Sequence, residues 1–431
     1  MVNGYTLLFG GFLLLGGRAA DLLGRRRLFT IGVTLFSLAS AVNAFAQSSN
    51  VLIAGRALQG LRAALVSPAA LSILTTTFTE PSERTKALGV WSGIAAGGAA
   101  VGLLMGGVLT DLLSWRWVFI VNLPVGVGAL VAALRYVPES RGTAVRRTFD
   151  LAGAFSVTTG LVVAVYGIVK TQQYGWGSTR TLGTVAVAAV LLSVFVAIER
   201  RSPAPLVRLS ILRVRTLAAA NLALLFVMSG MMSMFYFASL YVQQVLGYSP
   251  LKAGLAFLPV TIGIGAGAAL AQSLIRRFGA RAIAVGGLSL ATVGMALLLR
   301  TTVQGDYPGQ LLVGLVPLAL GMGLTFVPIT LLATANVEGE DAGLASGLYN
   351  TAQQVGGALG LAVLSTLAAA RTSSLLSSGV ASGQHAALLS GFHVAFAVGA
   401  GLLALAAVLL MAMLRRHHVA SLDLNAQPVL A

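Results

Sequence analysis

The sequence contains no cysteine, which excludes disulfides, thiolate metal sites and cysteine nucleophiles. Charge is almost as scarce: 9% of its 431 residues are Asp, Glu, Lys or Arg. A soluble protein carries about 25%. Acids number 12 against 28 Lys and Arg, and only three of the bases are lysine. No acid sits well inside an apolar run, since Asp21, Asp111 and Asp150 all lie near segment ends. The four histidines make no metal-ligand set: His417 and His418 are in the tail, His385 is in a loop and His393 stands alone. No carboxylate pair, HExxH or nucleophile elbow is present, so the chain reads as neither an enzyme nor a cofactor or metal binder.

What remains is apolar. Hydrophobic residues make up 57% of the chain and the mean hydropathy is +0.89, which leaves only an integral membrane protein, with the lipid bilayer as its solvent. The net charge of +16 does not indicate nucleic acid, because the bases sit in short loops between apolar runs. Segments near the ~20 residues needed to cross a bilayer fall at 4–20, 28–46, 51–76, 87–110, 117–136, 150–169 and 182–198. Six more follow at 217–242, 253–275, 282–299, 310–333, 345–370 and 390–414, making thirteen. The opening segment lacks a basic start and a cleavage site, so it is not read as a signal peptide. Alternate loops separate by charge, 19 Lys and Arg in one set against 6 in the other. The richer set is expected to be cytoplasmic, together with the C-terminus. The loop around Glu338, Glu340 and Asp341 breaks that pattern by being acidic.

From Gly89 to Gly107 the glycines fall at 89, 93 and 97, then at 98, 102 and 106. Four residues is about one helical turn, so each set makes a groove free of side chains. In lipid such a helix persists, and the grooves should seat neighbouring helices closely. A shift of 258 residues lays Gly89 on Gly347, Gly98 on Gly356 and Gly102 on Gly360, with Trp91 on Tyr349. Parallel repeats of this kind build many transporters, whose substrate sites lie between the halves. The second half has six segments and the first five, so the repeat implies one further helix before residue 1.

Several short motifs carry a resemblance. Gly17, Asp21, Gly24, Arg25 and Arg26 form a loop pattern, although Leu22 stands where arginine is frequent. Arg56-Ala-Leu-Gln59-Gly60 is an arginine motif on the third segment, Gly98 to Gly107 an antiporter-like stretch, and Ser114-Trp115-Arg116-Trp117 follows it. Together these residues resemble the major facilitator superfamily, and specifically its fourteen-helix drug:proton antiporter branch. The match runs from about residue 3 to 414, with 150–198 similar to that branch's extra helix pair. The resemblance implies an all-α polytopic membrane protein with the major-facilitator fold: two pseudo-repeated helical halves, an extra helix pair and about thirteen transmembrane helices here. The expected division is an N-terminal half at 1–148, the extra pair at 149–199, a basic linker at 200–216, a C-terminal six-helix half at 217–414 and a cytoplasmic tail at 415–431.

The resemblance implies coupling and conformational roles for Arg56, Gln59, Asp21, Gly24, Arg25, Arg26, Gly98, Gly102, Gly106 and Gly107. Arg56 and Arg62 would each cost about 2.5–3.5 kcal/mol to insert near a membrane centre, so both need partners. At 100° per residue Arg62 points about 120° away from Arg56 and should do another job. Asp21 with Arg25 and Arg26 forms a charge cluster, read as a switchable latch or as ordinary topology charge. Leu103 follows Gly102 where the family has proline, so a straighter helix is expected. In the second half, Met231, Met234, Phe235 and Tyr236 make a soft, aromatic stripe suited to bulky apolar or cationic ligands, or to plain packing. Asn350, Gln353 and Gln354 are further cavity candidates, with Asn3, Tyr5 and Asn122 ranked below them. The expected function is export of drug-like or amphipathic small molecules across a bacterial cytoplasmic membrane in exchange for protons, by a monomer. A transporter of one native metabolite, or a non-transporting membrane protein, is the alternative.

Overall fold

The computed structural model describes residues 2–78, 80–140, 150–202, 205–334, 342–378 and 383–414. These are helical almost throughout, and no strand occurs among them. The helices are α1 (Val2–Leu23), α2 (Arg25–Ala44), α3 (Ser49–Thr77), α4 (Pro81–Leu112), α5 (Trp117–Ile120), α6 (Asn122–Tyr136), α7 (Leu151–Tyr174) and α8 (Thr179–Arg201). After them come α9 (Arg215–Leu240), α10 (Pro250–Ala256), α11 (Leu258–Phe278), α12 (Ala280–Leu297), α13 (Leu312–Thr334), α14 (Ala342–Ser377) and α15 (Gln384–Met413). Each of the thirteen expected segments falls on one helix or on a close-set pair. Eleven stretches among the described residues are long and apolar enough to cross a membrane. Within α8, and within α5–α6, only 11% of the apolar window is buried by protein. Helices so apolar and so little covered require lipid as their solvent.

Local chemistry sets the helix ends. Ser48 caps α3 by accepting from the Val51 amide at 3.4 Å, and Ser249 caps α10 just before Pro250. Gly279, at φ +80°, turns the chain from α11 into α12 where a side chain would be strained. Expected loop and tail residues Arg141, Arg146, Arg147, Glu338, Glu340, Asp341, Arg415 and Arg416 lie outside the described residues, as do the side chains of Arg84 and Asp21.

The chain divides into two compact units, and the pair α7–α8 is shared between them. The first comprises Met1–Ala164 with Thr184–Leu209. In it α3 packs on both α1 and α2 through small residues. A Cβ on Gly16 would strike the Ala64 backbone, and one on Gly60 the Tyr5 backbone. The start of α7 joins this core, with Phe12, Ala64 and Ala154 clustered and the Phe12 and Phe155 rings edge-on at 5.4 Å. The second unit comprises Val165–Gly183 with Ser210–Val429. Its hub is α13, which carries Pro317 and Pro328 inside the helix and packs on α11 and α12. Gly294 meets Gly314 and Leu318 there, and Gly267 meets Gly323, so backbones approach to contact distance.

The two glycine stripes behave differently. On α14, Gly356 and Gly360 are pressed against Leu225 and Ser229 of α9, and Ser229 donates to the Gly356 carbonyl at 2.8 Å. On α4, a Cβ at Gly98, Gly102 or Gly106 would meet nothing within 4 Å among the described residues, and Gly98 and Gly102 are exposed. The close seating expected of both grooves is therefore present on α14 and absent at these α4 positions. Gly107, one residue beyond, is buried. α4 is one helix of 32 residues.

Candidate functional site

In the first unit, Arg56 is the cation of a polar network built by α1, α2 and α3. Its guanidinium lies 4.4 Å from the centroid of the Tyr5 ring, and its Nη1 donates to Gln59 Oε1 at 3.0 Å. Position 59 follows 56 by three residues, so helical geometry alone brings the two side chains together. Gln59 Oε1 also accepts from Asn43 Nδ2 at 2.8 Å, while its Nε2 donates to Ser40 Oγ at 2.5 Å. Gln59, Asn43 and Ser40 are all 0% exposed. Asn43 Oδ1 remains buried without a hydrogen-bond partner among the described residues, pressed against Gly55. The contacts described for Arg56 are thus an aromatic face and an amide, a setting that holds its charge without neutralising it. Arg62 is only partly buried and takes no part in this cluster.

The loop motif is held from an unexpected direction. Gly24 adopts φ +104° and starts α2. The next three amides need acceptors because a helix leaves its first N–H groups unpaired. Arg25 N donates to Ser140 O at 2.9 Å, Arg26 N to Glu139 Oε1 at 3.2 Å and Arg27 N to Glu139 Oε2 at 3.1 Å. The Arg26 guanidinium reaches the Val137 carbonyl at 3.2 Å. Glu139 therefore caps α2 from 112 residues away, an anion placed at the positive end of the helix. A Cβ on Gly24 would lie 2.7 Å from Glu139 Oε1, which gives that glycine a second requirement besides its backbone angle. Replacing Glu139 by alanine should cost about 1 kcal/mol, since the site is exposed, and Gly24→Ala about 1–3 kcal/mol. Thermal unfolding of the purified variants in detergent checks both values. Arg25 and Arg26 are thus engaged within this unit.

In the second unit, Met234 is 0% exposed and lies in the packed core of α9, whereas Tyr236 is 39% exposed. Met231 and Phe235 are partly buried, with the Phe235 ring 5.8 Å from Phe257 and the Tyr236 ring edge-on to Phe237 at 5.1 Å. Asn350 donates to the Ser346 carbonyl of its own helix at 3.0 Å, leaving its oxygen and its second N–H for another partner. Gln353 bonds the Tyr349 hydroxyl, which lies 2.8 Å from that of Thr330. Gln354 is partly buried one residue further on. His393 packs with its Nε2 at 3.0 Å from the Thr301 carbonyl. Asn3 keeps its oxygen buried without a partner, and Asn122 bonds back to the Val118 carbonyl at 3.4 Å.

Sequence reasoning passed over Ser40, Asn43, Glu139 and Glu199. Ser40 and Asn43 were detectable in principle, as polar residues inside an apolar helix. Glu139 gave no local signal, because the α2 amides it caps are more than a hundred residues distant.

Helices that need lipid, small residues at the close crossings described above and an arginine held in a polar network define a polytopic α-helical membrane protein of the transporter kind. The family model described as Major Facilitator Superfamily matches residues 1–361, and the chain belongs to that family. Among its relatives, the puromycin resistance protein pur8 of Streptomyces alboniger is 40% identical over 95% of this chain and 82% of its own length. The cephamycin export protein CmcT of Amycolatopsis lactamdurans is 38% identical, over 86% of this chain and 77% of its own. A solved structure of the POT family transporter PepTSo superposes with TM-score 0.66 over 95% of this chain and 88% of that one. At 16% identity that likeness concerns the fold alone.

Proposed function

We propose that this protein is a secondary active exporter that moves drug-like or amphipathic small molecules across the bacterial cytoplasmic membrane in exchange for protons, by alternating access. The observation that carries this reading is Arg56, a cation in a helix apolar enough to span the membrane, supported by Tyr5 and Gln59. Such a charge is costly at depth and persists where it has a task. The relatives named for puromycin resistance and cephamycin export support an outward direction and an antibiotic-like cargo. The soft surface of Met231, Phe235 and Tyr236, with Gln353 and Gln354, suits such a cargo. Repeated halves at 1–148 and 217–414, an extra pair at 149–199, a linker at 200–216 and a cytoplasmic tail at 415–431 remain our reading of the organisation. The loop-charge bias of 19 against 6 supports the cytoplasmic C-terminus.

Inverted membrane vesicles test the proposal. An imposed pH gradient should drive uptake of puromycin or of a fluorescent lipophilic cation, and collapsing the gradient should stop it. Arg56→Ala should reduce that uptake at least about tenfold, and Arg56→Lys should restore little, because an ammonium does not reproduce the planar stacking and fork. Uptake by wild type that ignores the gradient would exclude proton exchange. Gradient-driven uptake that survives Arg56→Ala would remove Arg56 from the mechanism.

A further inference from the structure

Two carboxylates lie together at one end of the helix pair, Asp150 just before α7 and Glu199 in the last turn of α8. Asp150 is 8% exposed and Glu199 4%. Each has one oxygen in use: Asp150 Oδ1 accepts from the Gly153 amide at 2.7 Å, and Glu199 Oε2 accepts from the Val207 amide at 3.0 Å. Among the described residues, the other oxygens, Asp150 Oδ2 and Glu199 Oε1, are buried without a hydrogen-bond partner. The two groups are close, since a Cβ on Gly153 would lie 2.8 Å from Glu199 Oε1 and 3.0 Å from Asp150 Oδ1.

Two ionised carboxylates in that position would repel each other, and burial has already removed their water. Relief has to come from a cation. Among the described residues, Arg200, Arg201 and Arg208 on the neighbouring segments are exposed, Arg62 of α3 is partly buried, and none of them bonds Asp150 Oδ2 or Glu199 Oε1. Arg146, Arg147 and the side chain of Arg18 lie outside the described residues. No group of three or more metal-ligating side chains occurs among the described residues, and two free oxygens fall short of the six or so that a hard divalent ion takes. A proton needs only one.

We propose that Asp150 and Glu199 form a proton-binding site that holds one proton between them, and that this proton controls how firmly the segment 205–209 is tied to the end of α8. The helix ends decide where it sits. Asp150 is at the N-terminus of α7, where negative charge is favoured, whereas Glu199 is at the C-terminal end of α8, where it is not. A proton on Glu199 Oε1 turns one orphan acceptor into a donor and removes the repulsion between the two groups. Losing it restores the repulsion, and Glu199 then swings from Asp150 and pulls on its bond to Val207.

The test uses the full-length protein in lipid nanodiscs. Infrared difference spectra across a pH titration should show the carbonyl band of a protonated carboxylic acid that disappears on going alkaline. Glu199→Gln should abolish the band. Asp150→Asn should move its titration to lower pH by about one unit or more, because the repelling neighbour is gone. Hydrogen exchange at Val207, corrected for its intrinsic pH dependence, should rise about tenfold above the titration in wild type and stay flat in Glu199→Gln. Absence of the band, a titration unmoved by Asp150→Asn, or protection that follows added sodium or magnesium at fixed pH would each overturn the proposal. If Glu199→Gln fails to fold, the Asp150→Asn titration decides alone. None of these readings involves transport, so the outcome is separate from that of the vesicle assay.

Discussion

Gln59→Leu should destabilise the first unit by about 3 kcal/mol, the largest single loss among the polar residues of this chain. Leucine matches the volume but offers no polar atom. It would strand the Asn43 amide, the Ser40 hydroxyl and one guanidinium donor of Arg56, in a place where the first two residues are 0% exposed. Stranding is worse than simple deletion, because a buried group left without a partner still carries its full desolvation cost. Asn43 already has an unpartnered oxygen, so it has no reserve with which to compensate. Gln59→Glu should be much milder, since a carboxylate keeps accepting from Asn43 and Arg56 and loses only the donation to Ser40. Arg56→Ala should also cost little stability, about 1 kcal/mol, because Gln59 Oε1 retains Asn43 as its donor. Denaturant unfolding in mixed micelles, followed by circular dichroism, should rank the three variants in that order. A ranking with Arg56→Ala worst would mean that the guanidinium, rather than the amide, organises the cluster.

The second large effect separates the two glycine stripes. Gly360→Ala should cost about 2–3 kcal/mol and Gly360→Val more, because the new carbon lands on Cα and Cβ of Ser229, which cannot swing aside. The displacement would also stretch the 2.8 Å bond from Ser229 to the Gly356 carbonyl. Gly102→Ala, its counterpart in the repeat, should be neutral or stabilising by up to about 1 kcal/mol, since open space meets the methyl group and alanine is the better helix former. Melting temperatures of the two alanine variants in one detergent check this. Equal losses at both positions would show that the α4 stripe is packed after all.

Most of the fold was legible because lipid imposes strong rules. A backbone that must satisfy itself internally forms helices wherever about twenty apolar residues follow one another. That is why 28–46 anticipates Arg25–Ala44, and 390–414 anticipates Gln384–Met413, within a few residues. Arg56 was legible for the same reason, as a charge where charges are expensive. Glu199 was missed because it lies just past the apolar segment drawn at 182–198, where an acid looks like ordinary surface. Burial there comes from α7 and from Val207, which no local pattern reports. The glycine stripes were read as equivalent because their spacing is identical. Spacing defines a groove but says nothing of what fills it.

Sequence alone therefore determined the class of this protein, its helices and which helix carries Arg56, since composition and periodicity act locally and lipid enforces them. Tertiary structure decided which polar groups of different helices meet. The cap that Glu139 provides for α2, the joining of Asn43 and Ser40 to Gln59, and the approach of Asp150 to Glu199 all bring together residues far apart in the chain. Hydrogen bonds and carboxylate pairs act over a few ångströms, and only packing brings distant residues that close.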